Sequence, residues 1–510
     1  MGIFHNVRIA LVPATLAAAT TMTLTMPQVV SAQETATAKP QKYRVAVLPV
    51  GRGTGTYLAG YLFYAPLTQD GTVGVVSFDS AAPTVYDPYT WTDGRYTYLK
   101  TLPSIPSWSN SGGYINWINQ WGLSAGYATR TDAASKTSVD NAVIWTPDGT
   151  PIDFLDSTET ASHAVWVNDI GQVSGWTAST KADACSFGTS LAHTQAFMWE
   201  FGVLRKLGTL GGTDSYGEFI NDLGQISGHS QSSNTPNAAT GCPPFEPFIW
   251  QDGKMTAINP GNFGGAQGGT NYLDNRGQAV GFGTLKGDTE AHPFIWQRGK
   301  LQDLSKVGTL GGAESSAYNV NDSGHVVGIS YTADNAALRA VLWRGQKFVD
   351  LSTLKGDDCS EPFRINGRDQ VVGVSFSCET GVERAFLWEN GQMVDLNTRI
   401  PANSGLQLQS GNWINDDGVI AAQAVVTSGP DEGAPRAVLL IPDGDCKETV
   451  AEEATVASAN GVTPEAMTEA SAAAARTAVG MLRGAAGRVN PLLLKPFSPA
   501  LFGQKSADGR

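Results

Sequence analysis

Short apolar runs alternate with polar, glycine-bearing turns along most of this chain, and helix-type periodicity is scarce before residue 450. One block, "INDLGQISG" at 220–228, places an apolar residue before Asn-Asp-x-Gly and another, Ile226, two places after it. Copies stand at 118–126, 167–175, 273–281, 320–328, 365–373 and 414–422, with a degenerate "TQDGTVGVV" at 68–76. Their central positions are 71, 122, 171, 224, 277, 324, 369 and 418, a spacing of 45 to 53 residues. After each comes a second block, as in "PFIWQDG" (247–253) and "AFLWENG" (385–391); the eighth, "AVLLIPDG" (437–444), has Leu440 in place of Trp. A period near fifty residues is the mark of a repeat architecture.

Each unit reads as four strands. The first ends before Asn-Asp-x-Gly, a tight turn whose residues tolerate positive φ, and the second follows it. The third is the Trp block, which turns on its Gly into a short fourth strand such as "KFVDLSTL". Third strands are apolar at consecutive positions, so both faces of each sheet are covered. That pattern predicts an all-β β-propeller of about eight four-stranded blades. The segment "YRVAVLPVGRGTG" (43–55) reads as a fourth strand without its unit, and the last unit stops after its third strand near Pro442. Pairing Tyr43–Pro49 with Arg436–Ile441 would close the ring and leave no raw edge. The alternative is seven blades with the degenerate first unit outside. The propeller is expected over 43–446, after a linker at 33–42. Residues 447–510 read as a linker and an Ala-rich tail, partly helical or disordered, ending in the apolar "NPLLLKPFSPALFG".

The start reads as a secretory signal peptide over 1–32: a short polar stretch with Arg8, the apolar "IALVPATLAAATTMTLTM", and a small-residue cleavage site at Val30-Ser31-Ala32. No later stretch is apolar for long enough to span a bilayer. A net charge of -13 argues against nucleic acid as partner. Five cysteines in an exported chain favour disulfides, with no metal and no cofactor implied. Cys185 and Cys242 fall in the same loop of neighbouring units; Cys359 and Cys378 flank one hairpin; Cys446 is left over.

The repeated "LGTLGGTDS" (207–215), "VGTLGGAES" (307–315), Ile-Asn-Asp-x-Gly-x-Val-Val-Gly and His/Arg-Ala/Pro-Phe-x-Trp blocks resemble the probable extracellular repeat (HAF) family over about 43–444. The resemblance implies export and a repeat array. It carries no catalytic residues.

Four features look like sites and read better as scaffold. The Gly-rich "GTLGG" leads into a strand, where a phosphate loop needs a helix N-terminus. The Asn-Asp-x-Gly copies offer one Asp each (Asp169, Asp222, Asp322, Asp416), too few for a calcium loop. The residue four before the Trp pairs across its hairpin: Arg339 with Asp350, Arg384 with Asp395, His292 with Asp303, and Gln195 with Lys206. The repeated Trp residues pack between blades. No nucleophile motif appears. Function is therefore expected on the rim with long, unrepeated loops, at 177–195, 230–246 and 283–291. Two readings remain: a secreted, non-enzymatic propeller binding a glycan or protein there, or an extracellular propeller enzyme, a glycoside hydrolase or lyase acting on polysaccharide.

Overall fold

A computed structural model describes residues 41–51, 53–60, 64–79, 82–103, 105–153, 160–179, 193–237, 241–258 and 263–443. The expected signal peptide, most of the linker, the tail, Cys185 and Cys446 lie outside the described residues.

Gly55–Leu58, Val73–Asp79, Ala82–Thr92 and Arg95–Tyr98 form a four-stranded antiparallel sheet in chain order. Six more sheets repeat that order, beginning at Trp108, Thr160, Ser215, Gly264, Gly311 and Cys359; one bridge, Ala291 to Glu314, joins the fifth to the sixth. In the eighth, Leu406–Ile414, Ile420–Val426 and Pro435–Pro442 take Tyr43–Val47 as the outer strand, with Tyr43 opposite Pro442 and Val47 opposite Val438. Each sheet packs on the next, and Gly55–Leu58 against Pro435–Pro442 brings the eighth onto the first. The chain is a β-propeller, closed by its N-terminal strand. The degenerate first unit sits within this series, between the eighth and second sheets. We call these sheets blades one to eight.

The glycine ending each Asn-Asp-x-Gly block has a steric cause. In six blades a Cβ there would come within about 2 Å of the first strand's carbonyl: Gly228 at 1.9 Å from Tyr216 O, Gly175 at 2.1 Å from His163 O. Just beyond that carbonyl the first strand carries a β-bulge, as at Ala164/Trp166 and Gly217/Phe219, which brings the two backbones together.

Five of the Trp hairpins turn on two residues of positive φ, for example Phe201-Gly202 (47°, 85°) and Arg298-Gly299 (49°, 78°), the two-residue connection whose twist matches its strands; blade six turns on Gly345-Gln346 with Gly345 alone at positive φ. This shifts the expected register by two. Asp350 faces Val341 instead of Arg339, and Asp395 faces Phe386. The ion pairs form diagonally all the same, Arg339–Asp350 at 3.4 Å, Arg384–Asp395 at 3.2 Å and His292–Asp303 at 3.4 Å, because diagonal neighbours share a face within reach of long side chains. Lys206 likewise faces Phe197, and Gln195 donates instead to Thr213 O at 2.6 Å. The repeated Trp residues lie in the blades: the Trp145 and Trp343 indoles are buried and donate to Lys100 O and Gly308 O of the preceding blade, each at 2.9 Å.

Candidate ligand-binding site

The Asn-Asp-x-Gly turns encircle one end of the propeller axis, and their Asn and Asp are set by hydrogen bonding more than by φ. Only the Gly position is left-handed, at 70° in Gly224, or Asp369 at 61° where the block reads "INGRDQ". Asn221 shows the division of labour. Its Oδ1 accepts from Leu223 N and Gln225 N, closing its own turn. Its Nδ2 donates to Gln225 Oε1 and to Asp274 O of the next blade, each at 2.9 Å. The same inter-blade bond runs from Asn119 to Asn168 O, Asn168 to Asn221 O, Asn321 to Asn366 O, Asn366 to Asn415 O and Asn415 to Thr68 O. A second course lies beside it: Gln120 N donates to Asp169 Oδ1, Asp169 N to Asp222 Oδ1, Asp222 N to Asn275 Oδ1 and Gly367 N to Asp416 Oδ1.

Two seams differ. Blade one has Thr68 at this position, its hydroxyl turned to Thr72 of its own turn. Blade five has Asp274 where its neighbours have Asn, and an ionised carboxylate has no hydrogen to give. Asp274 Oδ1 still accepts from Arg276 N and Gln278 N. Its Oδ2 and the Gln278 Oε1 are both buried without a partner. Burial, helped by nearby Asp322, pushes the Asp274 carboxyl up to about 6. Burial, with Asp222 alongside, raises Asp169 as well.

Two residues before each Asn, at the end of each bulge, stand Trp117, Trp166, Phe219, Tyr272, Asn319, Arg364 and Trp413. They form a collar: Trp117 stacks on Trp166 at 3.6 Å, and the Arg364 guanidinium lies 4.1 Å from the Trp413 ring centroid and 5.0 Å from that of Tyr272. Arg364 also donates to Asn319 Oδ1 at 2.8 Å. Tyr64, from blade one, fills the centre, its ring 5.7 to 6.4 Å from Trp413, Tyr272, Phe219 and Trp166. Its hydroxyl sits 2.6 Å from Tyr318 O and 3.0 Å from Asn271 O.

Collar and turns enclose a cavity of about 260 Å³. Trp117, Trp166, Tyr272, Trp413 and Arg364 line its floor, and Asn119, Gln120, Asn168, Asn275 and Asn321 with the carboxylates of Asp169, Asp222, Asp322 and Asp416 line its rim, which Asp274 borders with its carboxyl buried. This mouth opens on the short-turn face, opposite the long-loop rim. Of that rim, 180–192 and 238–240 fall outside the described residues. Asp169, Asp222, Asp322 and Asp416, singled out in sequence as turn residues, thus converge here with the collar. In the sequence the collar shows only as an aromatic two before the Asn, or before Asp274 in blade five ("NWINQ", "VWVND", "EFIND", "NYLDN", "NWIND"), in five units.

Cys359 and Cys378 form a disulfide across blade seven, Cα atoms 5.5 Å apart. Cys242 is disulfide-bonded, and its expected partner Cys185 lies outside the described residues. Among the described residues, the one cluster of three metal-type ligands is Asp358 with Cys359 and Cys378; those two sulfurs are consumed by the disulfide. No helix among the described residues is long and apolar enough to cross a membrane.

No family model and no curated protein matches the chain. Among solved structures it is similar to the β-propeller domain of the Trilobed protease from Pyrococcus furiosus, at 12% identity and a TM-score of 0.36, covering 66% of this chain and 95% of that one. TolB from Acinetobacter baumannii matches at 12% identity and a TM-score of 0.29, covering 74% and 78%. The acylaminoacyl peptidase of Pyrococcus horikoshii matches at 10% and 0.37, and this chain, 72% covered, spans only 58% of its length. Likeness this distant concerns the fold alone.

Proposed function

We propose that the protein is an exported, non-enzymatic binding propeller of the extracellular-repeat type, and that it holds a glycan at the channel mouth. The observation that carries this reading is the composition of the cup. Its floor is aromatic with a guanidinium, its rim offers amide donors and carboxylate acceptors, and Tyr64 packs against the collar that forms the floor. Sugars present apolar C–H faces and a belt of hydroxyls, which such a lining matches. The rim carboxylates Asp169, Asp222 and Asp416 accept backbone N–H groups of neighbouring blades, so they stand as fixed acceptors. A disulfide suits an oxidising compartment.

The enzymatic alternative has one observation in its favour, the Asp274 carboxyl raised to about 6, in the range of a general acid. Its unpartnered oxygen is sealed from solvent, however, where no glycosidic oxygen reaches it.

A glycan array on the full chain, followed by calorimetric titration of the tightest oligosaccharide, tests the proposal. Gln120→Ala with Asp322→Ala should weaken binding about tenfold or more, two lost hydrogen bonds of roughly 1 kcal/mol each being worth that much. Binding unchanged by these but lost on altering Lys286 and Asp288 would move the site to the long-loop rim. Absence of any bound glycan would end the proposal.

A further inference from the structure

The short-turn face is divided in a way the mouth does not explain. The third residue of the Asn-Asp-x-Gly turn is Trp121 in blade two, Ile170 in blade three and Leu223 in blade four, exposed by 73%, 54% and 56%. The blade-three hairpin adds Phe201 and Val203, exposed by 83% and 64%. In blades five to eight the same turn position holds Arg276, Ser323, Arg368 and Asp417. One half of this face thus carries an apolar arc, edged on its inner side by Asp169 and Asp222. Contiguous exposed apolar surface marks an interaction site.

We propose that the occupant of this arc is the chain's own C-terminal segment, residues 490–503. Three observations meet there. The last strand of blade eight ends at Pro442, against the Gly418 turn, so the chain leaves the propeller on this face. Sixty-seven residues follow Asp443, and the first apolar positions of "NPLLLKPFSPALFG" come about fifty residues on. A coil of that length spans roughly 5–6 Å times the square root of its residue number, about 40 Å, and the arc begins only two blades away. The chemistry is complementary as well. On a chain of formal charge -13, residues 471–510 carry six basic side chains (Arg476, Arg483, Arg488, Lys495, Lys505, Arg510) and one acidic, Asp508. Leucines and phenylalanines cover the arc while Lys495 meets Asp169 or Asp222. Asp169 and Asp222 belong both to the arc's inner edge and to the mouth's rim, so the coupling is read on the protein without glycan.

Zero-length carbodiimide coupling of the full chain at low concentration, with peptide mapping, tests it. The expected product is a monomer in which Lys495 or Lys505 is joined to Asp169 or Asp222. Ile170→Asp with Leu223→Asp should lower its yield about tenfold or more, since each buried apolar side chain supports the contact; Val382→Asp, on the opposite face, should leave it unchanged. Both variants alter exposed turn positions, and an unchanged melting curve confirms the fold. Coupling found only in dimers would assign the arc to a second copy, and no coupling at these aspartates would overturn the proposal outright.

Discussion

Replacing Asp274 by Asn should stabilise the protein at neutral pH, although Asp274 lies at the rim of the candidate site. In blades three, four and seven a single amide group serves two acceptors, the Gln four residues on and the next blade's carbonyl. Asp274 leaves Gln278 Oε1 unpartnered and adds its own Oδ2, buried and unpartnered. Asp274 is 6% exposed, so solvent does not relieve this. Its carboxyl is raised from 3.8 to about 6, a difference worth about 3 kcal/mol at 1.36 kcal/mol per unit. A carboxyl raised on folding favours the fold while protonated. That contribution is present below the unfolded value near 4 and is lost as pH rises through about 6. The groups around it are Asp322, which raises it, and Arg276, which lowers it. Once protonated, Asp274 has a hydrogen to offer one of the two acceptors, but not both. Asp274→Asn should therefore gain roughly 2–3 kcal/mol at pH 7.5, about 3 °C in Tm for a domain near 400 residues, with the gain shrinking toward pH 4.5. Melting curves of both proteins across that range decide it. A variant less stable at pH 7.5, or a difference that does not change with pH, would refute the reasoning.

Asn221→Ala removes the turn cap and the seam bond together and should cost about 3 kcal/mol in denaturant unfolding, since several buried groups lose partners. Gly228→Ala, whose Cβ would lie 1.9 Å from Tyr216 O, should abolish soluble expression, whereas Gly253→Ala, at φ 85° with nothing within 4 Å, should cost only about 1 kcal/mol of backbone strain. Tyr64→Ala should cost about 3–5 kcal/mol by emptying the centre of the collar. Removing the Cys359–Cys378 disulfide as a double Ser variant should lower stability by about 3 kcal/mol for a closed loop of 19 residues, read by thermal melting without reductant.

The sequence made the repeat, the strand order and the closing strand legible, because each rests on local chemistry repeated many times. Tyr43–Val47 pairing with Pro435–Pro442 follows from counting strands. The hairpin register missed by two because the turn falls on Phe201-Gly202 and its equivalents, one place beyond the assumed centre. The Asn-Asp pair was read as turn chemistry, and half of its work lies in the next blade, about fifty residues away, where no local pattern points. The same distance hid the collar: Trp117 and Trp413 line one cup only once the ring is closed. Variation along the chain points to the long loops, while the mouth cavity is built from repeated positions.

A structure of the full chain with the tightest oligosaccharide from the array tests the central claim most directly. A sugar ring is expected within the mouth, over Trp117 and Trp413 and inside the rim of Asn119, Asp222 and Asp322. A sugar held instead by the 283–291 loop, with the mouth unchanged, would contradict it.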